Sequence, residues 1–383
     1  MGHGMDDEGA PGLTRRQLLG GAGTAVAAAL LTGGGTARGE AGGRDDDRLL
    51  RTRLVTEYGA RYPIANAGMS FIGLSDLAIA VANAGGVGMY GAAPEPPPVV
   101  DARLTAIRAG TSGPFGVDFI VSSSALGDFT TQDHIDVAAG HQVPIVVFHF
   151  GLPAATWVAQ LHAAGSRVWV QAGDLDFARA ALALGADGII AQGLSAGGHN
   201  RNSTVPTLLL VQQFRAQVSS TCLLLAAGGI GDGRSLVRAL SAGADGGWMG
   251  TRFVAAAESY AHPAYKQRLS TNHGATATAF TTAFGPEWSG QQQRVLRNTA
   301  VDNPGATTPA PIGTTVLFPG IVNAPYTMPN HSAIVPTRDT VGDLDQMDMP
   351  AGSESIRAVR GVQTARAIVD EVIRQAHEVL QHA

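Results

Sequence analysis

The stretch AQGLSAGGHN, residues 191–200, follows the short apolar run Gly188-Ile189-Ile190 and turns through small residues into a polar loop tipped by His199. A short apolar run bounded by turn residues reads as a buried parallel strand. A strand that ends in glycines and delivers a polar side chain is how an α/β barrel builds a ligand site at its carboxyl face. Two further strand ends share this grammar, Ala226-Ala227-Gly228-Gly229-Ile230 and Trp248-Met249-Gly250-Thr251-Arg252-Phe253. Together the three loops suggest a site that holds a phosphorylated group and presents a histidine to a second molecule.

Outward from this loop, short apolar runs alternate with helical patterns, the signature of βα units and a parallel sheet. The candidate strands are Pro63–Ala67, Gly86–Met89, Phe115–Phe119, Ile145–Phe148, Arg167–Val170, Gly188–Ala191, Leu223–Ala226 and Gly246–Met249. Helical stretches fall at Leu74–Ala84, Val99–Ala109, Gln132–Ala139, Ala154–Ala164, Asp176–Leu184, Thr207–Gln217 and Arg234–Ser241. This alternation points to an α/β fold, a (β/α)8 TIM barrel, over residues 49–259. A doubly wound open sheet is the alternative, but G-x-G-x-x-G is absent after the first strand. The segments ALALGADG (181–188) and ALSAGADG (239–246) echo each other, each taking a helix through glycine and aspartate into a strand. Between Tyr260 and Pro350 the regularity is lost, which marks a lid or insert over residues 260–350. Periodicity returns from Ser353 to His382, so residues 351–383 are expected as a C-terminal helix closing the barrel.

Hydrophobic residues make up 45% of the 383-residue chain and charged residues 15%, enough for a large core. The formal charge of −5 gives no reason to expect a nucleic acid or an anionic membrane as partner. Cys222 is the single cysteine, which excludes an intramolecular disulfide and reads as an inert core thiol. Lys266 is the single lysine and lies at no candidate strand end. Thr14-Arg15-Arg16-Gln17-Leu18-Leu19, followed by a mild Gly/Ala-rich apolar stretch, is the twin-arginine signal pattern. Residues 1–48 are therefore expected to be a signal peptide and linker, with export by the twin-arginine route and no stable membrane span.

Exposed amides in glycine turns, aided by a helix N-terminus, bind phosphate without a lysine. Gly228-Gly229-Ile230, the helix opened by Asp232-Gly233, and Met249-Gly250-Thr251 offer that arrangement. Arg252 reads either as a ligand contact or as half of a structural pair. His149 and Gln171, at the ends of the fourth and fifth strands, are further candidates for the pocket wall.

AQGLSAGGH (191–199), AAGGIGDGRSLVRALSAGAD (226–245) and MGTRF (249–253) resemble the nitronate monooxygenase family, formerly called 2-nitropropane dioxygenases. The resemblance extends to Pro63–Gly91, Pro114–Val121 and Val143–Pro153. It implies an FMN-dependent (β/α)8 enzyme with a smaller lid, acting on a small molecule and O2. Carried over residue by residue, it implies that Asn66, Ala67, Gly68 and Met69 lie along the flavin ring, where the family's usual pattern has glutamine and proline. Asp118 stands where an asparagine commonly contacts the flavin, and Gln192 and Gly193 lie beneath the ring. Gly197, Gly198, Gly228, Gly229 and the turn Trp248, Met249, Gly250, Thr251 form the phosphate cradle. His199 faces substrate over the flavin, and no metal is implied. Ser195 replaces the family's usual glutamate.

An imidazole at His199 can take the α-proton of a nitroalkane or bond a nitronate oxygen, leading with O2 to a carbonyl compound and nitrite. Two flavin alternatives stay open, an NAD(P)H:quinone reductase and an enoyl-thioester reductase. An inosinate-dehydrogenase-like barrel needs a catalytic loop cysteine, whereas Cys222 sits in a strand. A non-catalytic protein binding a phosphorylated ligand is a further reading.

Overall fold

A computed structural model describes residues 46–382, apart from 125–126, 202, 218–220, 275 and 306–310. The twin-arginine pattern at Arg15-Arg16 lies outside the described residues. Eight parallel strands form the sheet: β1 (Ile64–Asn66), β2 (Gly88–Gly91), β3 (Phe115–Ile120), β4 (Ile145–His149), β5 (Arg167–Ala172), β6 (Gly188–Gln192), β7 (Leu223–Ala227) and β8 (Gly246–Met249). Their spatial order is β1-β8-β7-β6-β5-β4-β3-β2. Ala65 of β1 bridges Val87 beside β2, so the sheet closes on itself and the open-sheet alternative falls away.

Helices α1 (Ser75–Ala84), α2 (Pro97–Gly110), α3 (Gln132–Gly140), α4 (Ala155–Ala163), α5 (Leu175–Ala183), α6 (Thr207–Gln217) and α7 (Gly233–Ser241) follow the first seven strands in turn. The two echoed segments are one structural device used twice. In each the chain leaves a helix through a left-handed glycine, Gly185 (φ 96°) or Gly243 (φ 106°). The aspartate that follows reaches back to the neighbouring strand. Asp187 accepts the Val168 amide at 2.8 Å and pairs with Arg167, while Asp245 accepts the Leu224 amide at 2.9 Å and pairs with Arg215. Each aspartate thus fixes the register of the strand it opens against its neighbour.

Strand side chains alternate between two cores. Ala65, Met89, Val147, Trp169, Ile190, Leu225 and Trp248 fill the barrel interior, with Leu54 and Tyr58 packed among them. Thr52 donates to the carbonyl of Asp245, just before β8, so this N-terminal segment stoppers the lower end. Tyr90, Phe119, Phe148, Val170, Ile189, Leu224 and Met249 belong to the larger layer between strands and helices.

The excursion after β8 has more regular structure than its composition suggests. It contains α8 (Pro263–Thr271), then β9 (Thr278–Thr281) paired antiparallel with β10 (Gln293–Leu296). Next come β11 (Gly313–Leu317) and β12 (Ala324–Met328), a hairpin joined by Val341–Gly342. The helix expected from Ser353 begins later. Ser353-Glu354 opens only a 3-10 turn, Ser355–Ala358, and the last helix, α9 (Ala365–Gln381), starts behind Thr364, whose hydroxyl accepts the Ala367 amide. α9 packs between α7 and α1, the place of an eighth barrel helix.

Arg252 ties this late helix to the exit of β8. Only 1% exposed, it donates to Glu371 on α9 at 2.7 Å and to Gln363 at 2.6 Å. That decides for the structural pair. Removing one partner of a buried ion pair leaves a bare charge, so Glu371→Ala should cost about 3 kcal/mol in urea unfolding. Arg252→Met with Glu371→Leu should recover most of that. A loss of only ~0.5 kcal/mol, typical of a surface change, would show that the pair does not hold α9.

Candidate active site

The alternation that fills the barrel also selects the wall of the cavity above it. Two residues beyond the inward layer, each strand presents one more inward position: Ala67, Gly91, Asp118, His149, Gln171, Gln192, Ala227 and Gly250. All eight line a single cleft at the carboxyl face. Gly68, Met69, Gly197, Gly198, His199, Gly228, Gly229, Trp248 and Thr251 line it as well, with Trp248 also part of the interior packing below. Three of the expected residues do not line the cleft. Asn66 has the outward parity and ties β1 to β2, accepting the Met89 amide at 2.8 Å and donating to its carbonyl at 2.7 Å. Met249 packs outward in the layer between strands and helices. Gly193 turns toward Thr207 of α6.

His199 is held by a clamp that spans the chain. Gly198 and His199 form a two-residue strand, antiparallel to Arg294 and Gln293 of β10. Gln192 donates to the His199 carbonyl at 2.9 Å, so this side chain secures the loop's backbone. Arg294 stacks over Phe280 and donates to the Leu194 carbonyl. The segment after Met349 crosses the loop so closely that a side chain at Gly197 would strike the backbone of Ala351 and Gly352. Above the imidazole, Trp288 sits with ring centres 4.5 Å apart, and Phe150 and Phe129 pack on Trp288 in turn. His199 Nε2 and His149 Nε2 are buried and have no partner among the described residues. Burial drives the His199 pKa down to about 3, with His149 nearby adding to the effect, and burial brings His149 to about 4. Both imidazoles are neutral at ordinary pH.

Three carboxyl groups share the cleft. Asp118, beneath Gly68, is buried with Oδ1 unpartnered, and desolvation pushes its pKa well up. Glu287 accepts from Tyr326 and Ser332 at 2.7 Å and from the Ala333 amide at 2.8 Å. Asp348 accepts from Gln293 at 2.8 Å while its Oδ1 stays unpartnered. Trp288, Phe129, Glu287 and Asp348 were not anticipated from the sequence. They lie in loops without a local pattern, and only the fold brings them over the barrel.

The phosphate cradle is borne by the glycine turns. The amides of Gly229, Ile230, Gly250 and Thr251 have no acceptor among the described residues, and all four residues line the cleft. The helix N-terminus expected to assist has most of its amides already engaged. Asp232 accepts the Ser235 amide, Ser235 Oγ accepts those of Gly231 and Asp232, and Gln375 of α9 takes that of Gly233. Free amides and unpartnered polar atoms in one cleft suit a polar, phosphorylated ligand. The exposed Glu354 carboxylate stands beside Gly229, where water screens it. Cys222 is buried against backbone carbonyls with its pKa raised to about 11, as befits an inert thiol. Among the described residues there is no His/Cys/Asp/Glu group suited to a metal and no helix long and apolar enough to cross a membrane.

The nitronate monooxygenase family profile matches residues 51–375. A probable nitronate monooxygenase of Staphylococcus aureus is 28% identical over 371 residues, covering 87% of this chain and 99% of that one. A Mycobacterium tuberculosis protein, (3aS,4S,5R,7aS)-5-hydroxy-7a-methyl-1-oxo-octahydro-1H-indene-4-carboxyl-CoA dehydrogenase, is 34% identical over 253 residues, 66% of this chain and 68% of its own length. Among solved structures, FabK from Thermotoga maritima superposes with a TM-score of 0.70 at 28% identity, covering 87% of this chain and 98% of that one. The nitroalkane oxidase of Streptomyces ansochromogenes gives 0.69 at 26% identity, over 86% and 99%.

The depressed histidines have a cost in acid. The unfolded chain takes up a proton at His149 near pH 6.5, whereas the folded protein does so only near pH 4. The stability is therefore intact above that upper value and is lost as pH falls between the two. Relative to His149→Phe, the wild type should lose about 1.4 kcal/mol per pH unit between about pH 6 and pH 5, read from urea unfolding. A difference that stays flat with pH would show that His149 is not held neutral by burial.

Proposed function

We propose that this chain, which belongs to the nitronate monooxygenase family over residues 51–375, is an FMN-dependent oxidoreductase that converts alkyl nitronates and O2 to carbonyl compounds and nitrite. The observation that carries this reading is His199 Nε2, buried, neutral and unpartnered, facing the same cleft as the glycine turns. Gly228, Gly229, Gly250 and Thr251 would hold the phosphate by backbone amides, with Asp118 and Gln192 at the ring. Bound FMN would supply the electron transfer and the reaction with O2.

The chain's own residues supply position and proton handling. His199, kept free of protons by burial, bonds a nitro oxygen or accepts the α-proton. Trp288 fixes the plane of its ring, and Gln192 fixes its backbone. The aromatic and aliphatic walls exclude water, which strengthens each polar contact inside. No Lys or Arg lines the cleft among the described residues, so the diphosphate of NAD(P)H would meet no fixed cation there. That weighs against the NAD(P)H-dependent reductase readings. The Arg15-Arg16 pattern supports export, where NAD(P)H is scarce.

The purified protein is expected to be yellow and to release FMN on denaturation, identified by mass spectrometry. Nitrite release from alkyl nitronates should exceed NAD(P)H consumption with quinones. His199→Asn should lower kcat/KM by a factor on the order of 10^3 while leaving flavin content unchanged. With His199 neutral down to about pH 3, activity should not fall on the acid side between about pH 7 and pH 5. A preparation that stays colourless after reconstitution with FMN would end this reading, and NAD(P)H consumption without nitrite would replace it by a reductase.

A further inference from the structure

The phosphate cradle has donors and no cation. Gly229, Ile230, Gly250 and Thr251 offer free amides, and no Lys or Arg lines the cleft among the described residues. What stands beside these amides is a carboxylate. A Cβ built on Gly229 would lie only 2.7 Å from Glu354 Oε2. Glu354 is carried by the segment after Met349, the one that crosses the loop of His199, and that segment is fixed at several points. Ser195 Oγ donates to Glu354 Oε1 at 3.1 Å, and the Ser353 amide bonds the Ser195 carbonyl. The Gly352 amide donates to Thr251 Oγ1 at 2.8 Å, and Thr251 is itself part of the cradle. The Arg357 amide donates to the Glu354 carbonyl and closes the turn behind it. No ion pair neutralises the carboxylate among the described residues. Arg294 feels its charge, but that guanidinium is turned to the Leu194 carbonyl, the Thr278 hydroxyl and the face of Phe280.

We propose that Glu354 sets the cofactor discrimination of this site, opposing the phosphate charge of FMN and so narrowing the preference for FMN over riboflavin. This rests on the flavin reading above. The two flavins share the ring and the ribityl chain and differ in the phosphate alone. The amides attract that phosphate as partial positive charges, while Glu354 repels it as a full negative one. Water screens the carboxylate from the rest of the cleft. A phosphate held by the Gly229 amide, however, stands within about a Debye length of it, ~8 Å at physiological salt. Above about pH 7 the phosphate carries close to two charges, so the repulsion acts on both. Riboflavin brings no such charge, and Glu354 is indifferent to it.

Titration of the flavin-free full chain with FMN and with riboflavin, at about pH 7.5 where the phosphate is doubly charged, tests the proposal without turnover. Quenching of flavin fluorescence reports binding. Glu354→Gln keeps an acceptor for Ser195 and removes the charge. It should bind FMN roughly tenfold more tightly than the wild type. Glu354→Lys, which reverses the charge, should tighten FMN by a further factor of about three. Riboflavin affinity should stay within about twofold across all three proteins, since no charge is at stake. A role confined to holding the loop would weaken both flavins together in these variants. FMN affinity unchanged or weakened in Glu354→Gln, or a gain shared equally by riboflavin, would overturn the proposal. Glu354 is exposed, so neither substitution enters the core, and if one variant does not fold the other decides. Failure of the flavin reading would appear separately, as a wild type and variants that bind neither flavin.

Discussion

Gly198 and His199 pair with Arg294 and Gln293 across almost a hundred residues of chain, and the geometry of the cleft follows from that pairing. A loop of small residues at a strand end has little intrinsic preference for one conformation. Here β10 gives its backbone a partner, and Gln192 gives the His199 carbonyl a donor. The same edge of that strand carries the Met349–Ala351 segment further along, through the Leu296 and Ala351 amides. One four-residue strand thus sets the positions of the imidazole, the Asp348 carboxyl and the approach to Gly197. A functional group on a loop becomes precise when rigid elements hold that loop from both sides.

The barrel was legible because its signals are local. Each strand announces itself by an apolar run and each helix by its period, and the two ALxxGADG segments repeat one turn chemistry. The open-sheet alternative was closed by the bridge between Ala65 and Val87, a contact that no composition reveals. Asn66 and Met249 fall outside the cleft lining for one reason. A strand end names a neighbourhood, but parity decides which residues face inward, and one step along the chain reverses the face. Counting from Trp248 and Ala65 places Gly250 and Ala67 in the wall and leaves Met249 and Asn66 out of it. The lid was a different matter. Glu287, Trp288 and Asp348 lie in irregular stretches, where no period indicates a facing residue. The helix N-terminus at Gly233 shows the same limit of local pattern, since Gln375, 142 residues away, occupies its first amide.

The electrostatics of the cleft follow from its dryness. Two histidines lose their affinity for protons and two aspartates gain it, each for the same reason, the cost of a charge away from water. The shifts act oppositely on stability. Buried histidines weaken the fold as pH falls below the ordinary imidazole range, whereas buried aspartic acids weaken it as pH rises above the ordinary carboxyl range. Neutral bases and neutral acids are thereby available in one cavity, an arrangement that water would not maintain. The fold accepts that strain because the surrounding barrel and its outer layer of helices are extensively packed.

Ser195 carries this reasoning one step further. The resemblance led to the expectation of a glutamate there, and its absence suggested a loop without a carboxylate. In the folded chain Ser195 Oγ donates to Glu354 Oε1 at 3.1 Å, from a residue 159 positions later. The Ser353 amide bonds the Ser195 carbonyl, and the Gly352 amide bonds Thr251, so the strap that brings Glu354 is fixed at both sides. A carboxylate therefore stands at the loop after all, delivered by the segment that β10 also binds. Which residue type occupies a position in the chain and which chemical group occupies a place in the site are separate questions. They come apart wherever a strap, rather than the loop itself, forms the wall.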